Sequence, residues 1–149
     1  MTQFDPESRD LAEISAADWP TDDWPHFTHA ELACRHTGLC RVAPALMSRL
    51  TELRTMLGQP MPITSGYRSP DHSIEARKIA QGRKPGVHTL GMAVDVAANG
   101  ELAHVLIRLG ANLGFNRIGI SQRLGAARYV HLDIAEVADG FPSPRIWSY

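Results

Sequence analysis

The sequence predicts an α+β fold, a small and mainly antiparallel sheet with helices packed around it. Three observations carry that expectation. Leucines recur at helical spacing between Val42 and Leu57. Two short runs, MAVDVA and RYVHLDI, alternate as half-buried strands do, and glycines and prolines separate the elements at short intervals. A chain of 149 residues fits one domain with one core.

Residues 1–25 are acidic, carry three prolines and hold no apolar run. That stretch is neither a signal peptide nor a membrane span. It reads as an irregular arm, with Trp19 and Trp24 as its anchors on the rest of the chain. Thr28 then caps a short helix, with Glu31 at the capping-box position. Cys34 and Cys40 are the only cysteines, and CRHTGLC is not a CxxC spacing. Free thiols are expected in a cytosolic protein, and a disulfide is the alternative outside the cytosol. His36 between them makes a second metal site conceivable.

The strongest helix signal follows. Leu46, Leu50, Leu53 and Leu57 form one stripe, and Gly58 and Pro60 stop it. This helix is scaffold. PMPITSGYRSP reads as a short strand broken by Gly66 and ended by Pro70, which delivers Arg68 at a strand end. Asp71 and His72 follow as loop residues or as part of the same cleft. Residues 73–84 are polar and basic, with Arg77, Lys78, Arg83 and Lys84. They predict a short helix and a loop whose charges are solvated or meet acidic groups of a substrate. A helix is expected over 101–113, with Leu102, Val105, Leu106 and Leu109 inward and His104 exposed. FNRIGIS reads as a strand leading toward YVHLD.

The chemistry concentrates in HTLGMAVD and YVHLD. Gly91 is free to take φ > 0, so HTLG turns the chain into the strand MAVDVA. Alternation then puts Ala93, Asp95 and Ala97 on one face, and the two alanines leave room for an ion. On the second strand Tyr129, His131 and Asp133 share a face. His88, Asp95 and His131 are two imidazoles and a carboxylate, a ligand set that leaves a fourth position open to water, as in catalytic zinc sites. Seven histidines and sixteen acidic residues place some such pairs by chance. Ligand chemistry therefore gives a plausible metal site without a substrate.

ITSGYRSP, HTLGMAVD and YVHLD, in that order, resemble the zinc D-Ala-D-Ala carboxypeptidase family of peptidoglycan peptidases, whose core fold is shared with the Hedgehog signalling domain. The likeness is to small bacterial and phage members, and it extends from HFTHAELACRHTGLC to the RIWSY end, residues 26–149. It implies a zinc peptidase domain over 26–149, one zinc held by His88, Asp95 and His131, and a catalytic arginine at Arg68, stabilising an oxyanion or binding a substrate carboxylate. Peptidoglycan stem peptides are the implied substrate, cut by carboxypeptidase or endopeptidase action. The sequence departs from the family at Gly86, often a serine, and at Arg128, where other branches place the acidic base. Tyr129 stands where those branches often have histidine. The base is thus unassigned. Asp133 is the nearest candidate, about 7 Å along the strand from His131 at roughly 3.3 Å per residue. It acts as the base, or it orients a histidine ring, or it is a carboxylate in a surface ion pair.

Composition narrows the classes. The apolar fraction of 44% and charged fraction of 21% are those of an ordinary globule, and a net charge of −1 argues against a nucleic-acid binder. The oligomeric state is not legible. Synthesis in the cytosol is expected, with action on the cell wall after release by other means, as in a phage lysis or virion protein. Two other classes stay open: an inactive zinc module that binds wall or protein, and a phage structural protein.

Overall fold

The computed structural model describes residues 5–149, so residues 1–4 of the expected arm lie outside the described residues. The elements in chain order are α1 (His29–Leu32), α2 (Pro44–Leu57), β1 (Ile63–Ser65), α3 (Ser73–Ala80), β2 (Ala93–Ala97), α4 (Gly100–Asn112), β3 (Arg117–Ser121), β4 (Tyr129–Asp133) and β5 (Arg145–Ser148). Two single 3-10 turns, Val87–Leu90 and Val137–Asp139, precede β2 and follow β4.

The five strands form one sheet in the order β1-β2-β4-β3-β5. Three of the four pairings are antiparallel, and only β5 runs parallel to its neighbour β3. The α+β architecture is the one that the alternating runs predict. β2 and β4 are adjacent interior strands of the sheet, and their residues are almost all buried. Val94, Val96, Val130, Leu132 and Ile118 make the apolar face and belong to the main core. α4 packs on β4 and α2 packs on α4, which closes that face. The other face, carrying Asp95, His131 and Asp133, is left for chemistry.

α2 forms because its leucine stripe is continuous. Leu46, Leu50 and Leu53 are fully buried, while Leu57 is half-buried at the helix end. Gly58 then takes the left-handed conformation that ends the helix. α1 carries the expected capping box between Thr28 and Glu31. α4 starts at Gly100 and leaves His104 exposed, as its period requires.

The described part of the arm, residues 5–25, has no helix or strand and lies against the rest of the chain. Trp19 and Trp24 are buried edge to face, 5.0 Å between centroids, and the Trp19 indole N–H donates to the Phe27 carbonyl at 2.8 Å. Arg9 reaches the Ile134 carbonyl at 3.3 Å and pairs with Asp139. Cys34 and Cys40 are both buried, free thiols. Among the described residues no helix is long and apolar enough to cross a membrane.

Candidate metal centre and cleft

Strand register assembles the centre. Asp95 on β2 lies directly opposite His131 on β4, so their side chains share one face of adjacent central strands. His88 arrives from the 3-10 turn before β2. Gly91 ends that turn at φ 61°, and a Cβ there would come within 2.0 Å of the Arg41 carbonyl, so glycine is required on both counts. His88, Asp95 and His131 are all buried, and one ligand atom from each lies within 4.8 Å of the others. Among the described residues they are the one group of three such side chains close enough to share an ion; His36, Cys34 and Cys40 form no such group.

The hydrogen bonds decide which atoms face the centre. His88 Nδ1 lies 2.7 Å from the Gly66 carbonyl. A carbonyl only accepts, so Nδ1 carries the proton and the neutral ring keeps a lone pair on Nε2, 3.4 Å from Asp95 Oδ2. His131 Nε2 stands 2.6 Å from Asp133 Oδ2 and its Nδ1 stands 2.9 Å from Asp95 Oδ1. A ring with a carboxylate at each nitrogen calls for positive charge. Burial lowers the affinity of His131 for a proton, but the bonds to Asp133 and Asp95 outweigh it and push its pKa up. A metal ion held by His131 and Asp95 would meet the same demand with the ring neutral. Burial likewise raises the Asp95 carboxyl, yet the hydrogen bond with His131 and the nearness of the His88 ring hold it far below the usual range. The donor set fits a zinc ion: two imidazole nitrogens with fixed tautomers, an ionised carboxylate, and an open side toward a cleft.

Asp133 is fully buried, which removes the alternative of a surface ion pair and leaves the base and the ring-orienting roles. Each of its oxygens is engaged. Arg117 Nε donates to Oδ1 at 2.9 Å and Oδ2 at 3.1 Å, the Ala135 N–H donates to Oδ1 at 3.0 Å, and His131 takes Oδ2. Arg117 faces Asp133 across the β3–β4 register.

Arg68 lies just past β1, with its backbone N–H on the His88 carbonyl at 3.1 Å. Its guanidinium stands 3.7 Å from Asp95 Oδ2 and 3.5 Å from Glu75 Oε1. Glu75, on α3, is fully buried within the stretch expected to be a polar, basic surface, and that expectation is corrected here. It also accepts the Gly86 N–H at 2.8 Å and Lys78 Nζ at 3.3 Å. Burial raises its carboxyl, but the Gly86, Lys78 and Arg68 donors outweigh that and hold it below its ordinary value. A Cβ at Gly86 would come 3.2 Å from both Glu75 Oε1 and Lys78 Nζ, so a side chain there would make these two groups shift by a few tenths of an ångström.

A cleft of about 520 Å³ opens over the centre, lined by Arg68, His88, Asp95 and His131 together with Tyr129, Trp147 and Tyr149. The Trp147 ring lies 5.1 Å from that of His131. It rests on β3 at Gly119, where any Cβ would be 2.7 Å from the indole. Arg128 lines a different hollow beside Ala97 and Asn99, away from the metal centre. His72 caps α3 through its ring, accepting the Ile74 N–H at 3.2 Å, and neither it nor Asp71 lines the cleft.

Sequence reasoning missed Glu75, Arg117 and the aromatic wall of β5. RIWSY stood out only as part of a resemblance, and nothing local in SIEARKIA marks its glutamate as buried.

The fold and the centre define an α+β protein whose central strands present a His-Asp-His group able to hold one metal ion. A family model described as Peptidase M15 matches residues 25–133, and the chain belongs to that family. No curated protein sequence matches the chain.

Proposed function

We propose that the protein is a zinc-dependent peptidase that hydrolyses a peptide bond of the peptidoglycan stem peptide. The observation that carries this is the convergence of His88 Nε2, the Asp95 carboxylate and His131 Nδ1 at the floor of a cleft, in a chain of the Peptidase M15 family.

Zinc held there supplies a Lewis acid for the scissile carbonyl and an activated water for the attack. The chain's own residues do the rest. The Gly66 carbonyl and Asp133 fix the tautomers and orientation of His88 and His131. Arg68 presents guanidinium N–H groups at the centre, where negative charge grows on the scissile oxygen. With all its lone pairs turned to Arg117, Ala135 and His131, Asp133 is a positioning residue and not a base. Burial pushes the Tyr149 phenol up to about 12, and its side chain lines the cleft. Trp147 walls off one side of His131.

The test is digestion. Zinc-loaded protein incubated with whole peptidoglycan should release peptide fragments or single amino acids, identified by mass spectrometry, and the fragments name the bond. A folded, zinc-loaded protein that releases nothing overturns the reading. It would favour the alternative of a metal-holding module that binds wall peptide without cutting it. One observation supports that alternative: among the described residues Asp95 is the only carboxylate side chain lining the cleft, so none of them offers a free carboxylate as a base.

A further inference from the structure

Among the described residues five cationic side chains line the cleft, Arg68, Lys78, Arg83, Arg117 and Arg145, against the single side-chain carboxylate of Asp95. Three of them are matched by the protein itself. Arg117 is held by Asp133, Lys78 by Glu75, and Arg68 is shared between Glu75 and Asp95. Arg83 and Arg145 form no ion pair among the described residues.

The two unmatched arginines come from different segments, and both segments are tied down. Arg83 sits in the loop after α3. That loop is fixed on one side by the Gly86 N–H on Glu75 and on the other by Lys84. The Lys84 ammonium bonds the Gly140 carbonyl and stands 3.9 Å from the centroid of the Phe141 ring. Arg145 opens β5 beside Arg117 and lies 5.5 Å from the Trp147 ring, which in turn packs on His131. Thus two cations without counter-charges share the cleft of the metal cluster. A divalent ion in the cluster would add to the positive potential. Clefts lined by one sign of charge concentrate ligands of the other sign.

We propose that the cleft selects acidic peptides: Arg83 and Arg145 bind a free carboxylate of the ligand that lies outside the scissile bond, and amidation of that carboxylate weakens binding. That the bound peptide is also cut rests on the peptidase reading above; the preference for a free carboxylate rests on the unmatched charges alone. Charge-assisted bonds from guanidinium to carboxylate are about twice as strong as neutral ones. Replacing the carboxylate by a carboxamide removes that assistance.

The experiment uses zinc-loaded protein and three synthetic stem pentapeptides. One has both its glutamate α-carboxyl and its C-terminal carboxyl free, and in each of the others one of these groups is amidated. Binding is followed by calorimetry and cleavage by mass spectrometry, for wild type, Arg83→Gln and Arg145→Gln. At least one amidation should weaken binding by about tenfold, a step of about 1.4 kcal/mol. The arginine variants, both at exposed positions, should bind the free and amidated peptides alike. The wild-type preference should also shrink as salt is raised. Equal binding of all three peptides, no binding of any, or a preference that survives in both variants would overturn the proposal. Discrimination without cleavage would support it and remove the peptidase reading, whereas cleavage without discrimination would do the reverse.

Discussion

Asp133 Oδ2 lies 2.6 Å from His131 Nε2, on the side of the ring opposite Asp95. A histidine that donates one nitrogen to a buried carboxylate offers the other as a lone pair of fixed direction. Asp133→Asn should therefore lower zinc affinity or turnover by about 10–100-fold, the range for losing such a partner. Zinc titration beside steady-state rates measures both. Zinc retained at full affinity with turnover down by about 10²–10⁴ would instead mark Asp133 as the base.

The metal centre makes the simplest prediction. Purified protein should carry close to one zinc per chain. His88→Ala, Asp95→Ala and His131→Ala should each lose it, because each removes one of three protein ligands. Elemental analysis decides, and full zinc in the His88→Ala protein would sink the assignment.

Arg68 should separate chemistry from binding of the metal. Arg68→Ala is expected to keep fold and zinc and to lose roughly a hundredfold or more in turnover, the scale of removing one oxyanion donor. Arg68→Lys should rescue poorly, since an ammonium lacks the planar fork. Near-normal turnover in Arg68→Ala would reduce it to a structural charge.

Glu75 ties α3 to Arg68 and to the chain just before His88. Glu75→Gln should cost about 1–3 kcal/mol of stability, because the variant exchanges charge-assisted bonds for weaker ones. It should also slow turnover, though less than Arg68→Ala does. The pH dependence has a definite sign. A carboxyl whose folded pKa is depressed contributes its stability in full above its unfolded value, about 4.3 for glutamate, and loses it as pH falls toward the folded value. The stability gap between wild type and Glu75→Gln should thus be widest near neutrality and close on acidification below about pH 4. Denaturant unfolding over that range measures it, and a gap that stays constant into acid contradicts the assignment.

Local pattern was enough for much of this. The leucine stripe gave α2 and its end at Gly58. Strict alternation in MAVDVA and YVHLD told which side of each strand carries Asp95 and His131, because successive side chains must point to opposite faces. Gly91 announced the turn that brings His88 to them. These are relations over a few residues, and backbone geometry alone enforces them.

Strand order and register are another matter, since they depend on which distant segments pair. The β3–β4 register sets Arg117 against Asp133, which turned a strand-end carboxylate into a buried support for His131. The placing of β5 alongside β3 brings Trp147 to the metal centre and Arg145 to the cleft. The close approach of the Gly86 loop to α3 buries Glu75 and joins it to Arg68. Sequence pattern pointed to His88, Asp95 and His131 as residues able to hold an ion, and the family resemblance implied the same set. The groups that orient them, and the charges a ligand would meet, were decided only when segments far apart in the chain packed together.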